Sequence, residues 1–227
     1  MKKIIVAVDG PAGSGKSSVC KKAAALTGLR YIDSGALYRT ITYLSIESSA
    51  NSPGDTSYEK LLENAEVEQV FTDDLNVVSY LNGKDVSGLI RDEKITAEIG
   101  RVSDSVSVRN FVNKLLRKWA EESSVIMDGR DIGSVVFPDA ELKVYLDASV
   151  DVRADRRIKE YKEMGKTLDE ISVKNQIIQR DKQDMSREFG RLQRVPDAVC
   201  IDTSDYNFDE VVDKLKALIE NSKSASH

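Results

Sequence analysis

Apolar residues fall along this chain in two rhythms that take turns. Ile4-Ile5-Val6-Ala7-Val8 is an unbroken, largely β-branched run, the pattern of a strand covered on both faces. Past Lys16 the spacing becomes helical: Val19, Ala23 and Leu26 share one face, and Gly28 supplies a stop. Leu29-Arg30-Tyr31-Ile32 reads as a second strand, and Gly35 to Ile46 as a helix with Leu37, Ile41 and Leu44 as its buried stripe. Val125-Ile126-Met127, Leu142 to Leu146 and Ala198-Val199-Cys200-Ile201 are three further core strands. Helical patterns fill Asp92 to Ala120, while 151–165 is charge-dense and suits an exposed helix. A last helix opens on Asn207 with Glu210 three residues on, a capping box, and turns Val211, Val212, Leu215 and Leu218 inward. Ser222 to His227 is expected to fray.

One stretch breaks the alternation. Residues 47–57 are rich in turn formers and mark a boundary. Two strand-like runs follow, Val67–Phe71 and Leu75–Leu81, and then the tight-turn dipeptide Asn82-Gly83. A local antiparallel unit inside a strand–helix chain reads as an insertion. The remaining five strands predict a parallel α/β sheet with helices on both faces. Ligands of such sheets bind beyond the carboxyl ends of the strands, so chemistry is sought in the residues that follow each strand.

Composition narrows that chemistry by what is scarce. The chain has 227 residues, 41% of them hydrophobic, enough for a full core. No apolar run approaches the ~20 residues of a membrane helix, and the short run at the start meets Asp9 at once, unlike a signal peptide. The expected compartment is the cytoplasm. The only histidine is His227, so neither a Ser-His-Asp triad nor a His-ligated metal is expected. Cys20 and Cys200 are too few for a zinc site and are expected as two buried thiols. A net charge of −5 argues against general nucleic-acid binding. What remains is Arg, Lys, Asp, Ser and backbone.

The first strand is followed by Gly10-Pro11-Ala12-Gly13-Ser14-Gly15-Lys16-Ser17, a full match to G-x-x-x-x-G-K-[ST]. Its glycines let backbone N–H groups turn toward phosphate oxygens, Lys16 can bridge the β- and γ-phosphates, and Ser17 can ligate Mg²⁺. After the second strand come Ser34 and Arg39, where an Arg could grip an acceptor phosphate and Ser34 could equally be a helix N-cap. After the third come Asp128-Gly129-Arg130-Asp131, with Asp128 placed as the carboxylate that holds Mg²⁺ through water. Arg153 and Arg157 share a helix face, as do Arg180, Asp184 and Arg187. Such charge runs read either as solvated, ion-paired helices or as a lid that neutralises phosphate.

These segments together resemble the bacterial cytidylate kinases, within the nucleoside monophosphate kinases. The match runs through Val8 to Lys16, Asp33 to Arg39, Gly83-Lys-Asp-Val-Ser-Gly-Leu-Ile-Arg91, Asp128-Gly-Arg-Asp-Ile-Gly-Ser-Val-Val-Phe-Pro138, Arg153 to Arg157 and Arg180 to Arg187. The resemblance implies a P-loop kinase fold with a core of 1–46, 92–150 and 192–227, an acceptor-binding insertion at about 47–91 and a short helical lid at about 151–191. It implies an ATP loop of Gly10 to Ser18, with Mg²⁺ at Ser17 and Asp128, and Arg153 and Arg157 on the ATP side. It implies that Arg39, Arg130 and Arg187 hold the CMP phosphate and the phosphoryl group in flight. Ser34, Arg109 and Asp131 would read the cytosine edge, and Arg180 and Asp184 the ribose. The chain departs from the family where a base-recognising Ser would align, with Gly100 there and Arg101 and Ser103 beside it. The implied reaction is ATP + (d)CMP ⇌ ADP + (d)CDP, by a monomer with no nucleic-acid or membrane partner.

Kinases of the same class acting on UMP, AMP or shikimate are the nearest rivals, and base-reading Arg109 and Asp131 favour a nucleotide. A GTPase-type switch predicts an Asn-Lys-x-Asp motif, which the chain lacks. A nucleic-acid-dependent ATPase is disfavoured by the acidic balance and 6% aromatic content.

Overall fold

The computed structural model describes residues 3–51, 57–163, 165 and 168–225. Five parallel strands form the main sheet: β1 (Ile5–Asp9), β2 (Arg30–Asp33), β6 (Val125–Gly129), β7 (Leu142–Asp147) and β8 (Val199–Asp202), in the order β2-β6-β1-β7-β8. β1 is central, with Ile5 opposite Val125 of β6 and Val6 opposite Leu142 of β7. Its unbroken apolar run is explained by the two faces it serves. Val6 and Val8 pack with Val19, Ala23, Val212 and Leu215 on one side, and Ala7 packs with Leu37, Ile41, Val112 and Leu116 on the other.

Helices α1 (Lys16–Thr27) and α8 (Phe208–Ala225) cover the first face, and α2 (Ser34–Asn51), α4 (Glu93–Ser103) and α5 (Val106–Glu122) the second. Gly28 ends α1 in the left-handed region at φ 66°, returning its N–H to Ala24 O. The capping box at Asn207 and Glu210 forms in both directions, at 2.8 and 3.0 Å. Between α2 and α4 lie α3 (Tyr58–Glu63) and a small antiparallel sheet of β3 (Val67–Phe71), β4 (Val77–Leu81) and β5 (Lys84–Asp85). Asn82 and Gly83 make the turn between β4 and β5, both at positive φ. A helical hairpin, α6 (Val150–Glu163) and α7 (Glu170–Ser186), is joined through Ala154, Val173 and Ile177.

Several expectations are corrected. α2 runs on to Asn51, into the turn-rich stretch, of which 52–56 lie outside the described residues. The helical patterns over 92–120 are there as expected, as two helices, with Asp104 closing α4 and Ser105 opening α5. Leu26 is exposed, and the stripe of α1 is Val19, Cys20, Ala23 and Ala24. Leu75 is a turn residue at φ 63°, so β4 begins at Val77. Ile219 takes the fully buried place expected of Leu218. α8 stays helical to Ala225, its Lys223 bonding Thr27 O, so the fray does not begin at Ser222; Ser226 and His227 lie outside the described residues. Cys20 is buried, but Cys200 is exposed on edge strand β8.

No helix among the described residues is long and apolar enough to cross a membrane.

Candidate active site at the carboxyl edge of the sheet

Every strand of the main sheet carries an Asp at or near its carboxyl end: Asp33, Asp128, Asp9, Asp147 and Asp202 across the sheet. The loop from Gly10 to Lys16 leaves β1 at the middle of that row. Its glycines 10, 13 and 15 all have positive φ. At Gly10 a Cβ would stand 2.1 Å from Leu146 O of β7, so the loop can leave the sheet here only as glycine. Lys16 is buried and donates to Pro11 O at 2.7 Å and Ser14 Oγ at 3.3 Å. Burial, and then the nearby Arg130, bring its pKa down to about 7.

Ser17 Oγ donates to Asp128 Oδ2 at 2.7 Å. The other oxygen, Oδ1, accepts from Tyr31 Oη at 2.6 Å. A hydroxyl and a carboxylate touching beside a phosphate-type loop are hard oxygen donors, and Mg²⁺ takes few protein ligands while keeping several waters. The pair therefore fits that ion. Among the described residues no group of three or more His, Cys, Asp or Glu could hold a metal by itself. Asp9 is also buried and accepts from Ile132 N and Gly133 N, both at 2.8 Å, which anchors the single π-helical turn Ile132–Val136. Burial raises Asp9 to about 6, and burial with the neighbouring Asp128 raises Asp33 to about 6.

The arginines gather on one carboxylate. Asp184, fully buried, accepts a hydrogen bond from Arg130 Nε on Oδ2 at 2.8 Å, while Arg187 Nη2 and Arg180 Nε stand 3.1 and 3.4 Å from Oδ1 as ion pairs and leave that oxygen without a hydrogen bond. Burial pushes its pKa up, but the three guanidiniums together take it below the ordinary carboxylate value. Arg187 also reaches Asp104 at 2.8 Å and Ser103 Oγ at 3.0 Å. Beside this cluster Arg109 and Asp131 form a buried pair at 3.0 Å, with Arg109 also donating to Tyr38 Oη at 3.1 Å.

Other candidates have structural partners of their own. Ser34 Oγ donates to Asp128 O at 2.6 Å, and the N-cap role belongs to Asp33, which accepts from Ala36 N at 2.9 Å. Arg39 donates to Thr96 Oγ1 at 3.0 Å and Ile90 O at 3.3 Å, with Arg180, Arg157 and Asp33 among its charged neighbours. Arg153 is buried, clamps Asp181 of α7 through two bonds at 3.0 and 2.6 Å, and reaches Ala12 O at 3.0 Å. It borders a cleft of about 670 Å³ with Pro11, Tyr145, Ile178 and Met185. Arg157 is exposed and bonds Glu160 and Tyr161, on its own helix, at 3.1 and 3.2 Å. Gly100 lies in α4 against the tip of Gln183, whose Nε2 stands 2.6 Å from where a Cβ would be, so a side chain there requires the Gln183 amide to move.

Four residues escaped the sequence reading. Arg156 donates to Thr203 Oγ1 and O at 3.0 and 2.9 Å and to Ser14 O at 3.4 Å, tying α6 to the loop. Asp181, Tyr31 and Gly190 touch Arg153, Asp128 and Arg109. Asp181 and Arg156 carried a visible signal, one charged residue beside those singled out. Tyr31 and Gly190 carried none.

A family model described as cytidylate kinase matches residues 6–221. Among solved structures, an uncharacterized protein from Eubacterium ventriosum is similar at a TM-score of 0.54 and 16% identity, covering 96% of this chain and 99% of that one. A Thermus thermophilus protein is similar at 0.50 and 17%, covering 97% and 98%. At such identities these two speak for the fold alone.

Proposed function

Because this chain belongs to the cytidylate kinase family, a family of nucleotide-binding phosphotransferases, we propose that it transfers the terminal phosphoryl group of ATP to CMP or dCMP. The observation that carries the reading is the meeting of Arg130, Arg180 and Arg187 on Asp184, close enough to Lys16 for Arg130 to lower its pKa. A phosphate acceptor facing a phosphate donor brings a large negative charge to one place. Guanidiniums held by a single buried carboxylate are cations already oriented to meet it.

In this reading the loop from Gly10 to Ser18 cradles the ATP phosphates with backbone N–H groups, and Lys16 sits on the β- and γ-phosphates. Arg153 borders the adenine side, and Arg157 swings in from α6. Bound Mg²⁺ supplies charge neutralisation between the phosphates, and Ser17 and Asp128 are the residues that would hold it, Asp128 through water. Arg39, Arg130 and Arg187 take the CMP phosphate, and Arg180 and Asp184 the ribose hydroxyls. Arg109 and Asp131 meet the base, with Ser34 at the rim as an acceptor, its own proton being engaged. Residues 47–91 act as the acceptor-binding insertion and 151–191 as the lid, which shuts water out of the transfer. The acceptor is an anion that needs little help from a base, so positioning and charge do the catalysis. The exposed thiol of Cys200 fits a reducing compartment, the cytoplasm, and the enzyme is read as a monomer.

The test is a coupled ADP-release assay with ATP and CMP, dCMP, UMP or AMP. CMP and dCMP should support turnover with kcat/KM well above UMP and AMP. If none of the four releases ADP above the ATP-only rate, the reading fails.

A further inference from the structure

The segment leaving α7 returns to the sheet past Arg109 and Asp131, and at Gly190 it comes closer than any side chain allows. A Cβ on Gly190 would stand 1.6 Å from Arg109 Nη2 and 2.3 Å from both Arg109 Cζ and Asp131 Oδ2. Its carbonyl accepts from Arg109 Nη2 at 3.0 Å, the same nitrogen that donates to Asp131 Oδ2 at 3.0 Å. The other terminal nitrogen is taken by Tyr38 Oη at 3.1 Å. The guanidinium is thus held from three sides, by α2, by the segment after β6 and by the segment after α7.

The left-handed φ of 63° at Gly190 strains Ala and most other side chains by itself, in any surroundings, while Asn and Asp visit that region. The overlap with Arg109 and Asp131 is a separate effect, present only while those two side chains hold their places. The atoms in the way are tips of side chains, so a methyl group at 190 would be accommodated by displacing the pair rather than by undoing the fold. α7 approaches the same side in a second place without a Cβ, at Gly100, where the room goes to the Gln183 amide. A glycine inside a helix is less stable there than Ala, so that contact has a cost in α4.

We propose that Gly190 is a positioning residue for selection of the acceptor base: its carbonyl fixes the Arg109 guanidinium against Asp131, and its lack of a side chain lets the segment after α7 seat on that pair. The inference rests on the reading of Arg109 and Asp131 as the base-contacting pair. An amino-bearing pyrimidine donates to the carboxylate and accepts from the guanidinium. A pyrimidine with a carbonyl in place of the amino group sets oxygen against oxygen. The distinction depends on where the two side chains point, and Gly190 sets that.

The experiment compares the wild-type protein, Gly190→Ala, Arg109→Ala and the double variant, by thermal melting and steady-state kinetics with CMP, UMP and ATP. Gly190→Ala should raise KM for CMP tenfold or more and shrink the CMP-to-UMP ratio of kcat/KM by a similar factor, with KM for ATP within twofold. In the Arg109→Ala background the same change should move KM for CMP by less than twofold. Gly190→Ala failing to fold while the double variant folds would equally trace the effect to the collision with Arg109. The proposal is overturned if Gly190→Ala leaves KM for CMP and the ratio within twofold. It is also overturned if the change acts equally in both backgrounds, or if neither variant carrying Ala at 190 folds, because the effect then lies in the backbone. No turnover of CMP by the wild-type protein would instead refute the acceptor reading, a result separate from these.

Discussion

Arg130 Nε donates to Asp184 Oδ2 at 2.8 Å, joining the segment after β6 to helix α7. Arg180 and Arg187 lie 3.4 and 3.1 Å from the other Asp184 oxygen, Oδ1, in ion pairs without hydrogen-bond geometry, so without Arg130 the charge of Asp184 stays compensated while its side-chain hydrogen bond is lost. Arg130 is also the member whose charge is felt at Lys16. Arg130→Ala is therefore expected to keep the fold and to lower turnover about a hundredfold or more, the scale of losing an oriented donor at developing charge. Melting curves and kcat on the same preparations check this. A folded Arg130→Ala enzyme with near-wild-type turnover would remove Arg130 from the site.

Arg156 offers a sharper division between the two substrates. Its bonds go to Thr203 and Ser14, on the side proposed for ATP, and none goes to Asp184 or to the Arg109–Asp131 pair. Arg156→Ala should raise KM for ATP about five- to tenfold, in line with about 1 kcal/mol for lost hydrogen bonds. KM for CMP should stay within twofold. Equal changes in both constants would mean that α6 moves as a whole when the contact is cut.

How much of this was legible in the sequence depends on what each feature needs. β1 needs only a run of residues that can be buried on both sides, and Ile5 to Val8 say so locally. The loop after it needs glycines at fixed spacing and a lysine, again a local matter. The arginine cluster was legible as a helical face, since Arg180, Asp184 and Arg187 repeat at helical spacing. That Arg130 stands near Arg187 came only from the family resemblance, and that it hydrogen-bonds Asp184 was not legible, because the two are 54 positions apart. Arg156 and Arg157 both lie close to the face of Arg153, and only the packed rotation of α6 decides which one meets Ser14 and which one bonds Tyr161. Cys200 looked like a core thiol because its run is apolar. It is exposed because β8 is an edge strand, and strand order is a property of the whole sheet.

Asp9 gives the protein a pH dependence with a definite sign. Burial, partly offset by the N–H groups of Gly133 and Ile132, raises its pKa from 3.8 to about 6. The folded state then binds a proton more readily than the unfolded chain between those two values. Its contribution to stability is fully present below pH 3.8 and is lost as pH rises through about 6. Asn at this position cannot titrate, and one of the two N–H groups loses its acceptor. Asp9→Asn should be less stable at pH 5 by about 1–3 kcal/mol, the range for an unsatisfied buried donor. Its stability should change less steeply between pH 4 and 6 than that of the wild type, with Asp33 supplying the slope that remains. Denaturant unfolding across that interval measures both, and parallel curves would show that Asp9 does not titrate there.

Tyr31 and Asp128 test the metal reading without touching a metal-facing residue. Tyr31 Oη donates to Asp128 Oδ1 at 2.6 Å, while Ser17 Oγ takes Oδ2, so the carboxylate is held at both oxygens. The Tyr31 ring packs edge-on against Phe71 with centroids 5.6 Å apart, a contact that does not involve the hydroxyl. Tyr31→Phe should keep that packing and the fold while freeing the carboxylate to turn. Partners that orient metal ligands are worth about 10- to 100-fold in metal affinity, and the lower figure suits a carboxylate acting through water. The Mg²⁺ concentration giving half-maximal ATP binding, read by titration calorimetry, should therefore rise about tenfold in the variant. Binding of ATP in chelator, with no divalent ion, should be unchanged, because the loop and Lys16 do not depend on Tyr31. Should the Mg²⁺ dependence be the same in both proteins, Asp128 would be no part of the metal site. Should metal-free binding fall as well, Tyr31 would be supporting the loop as a whole.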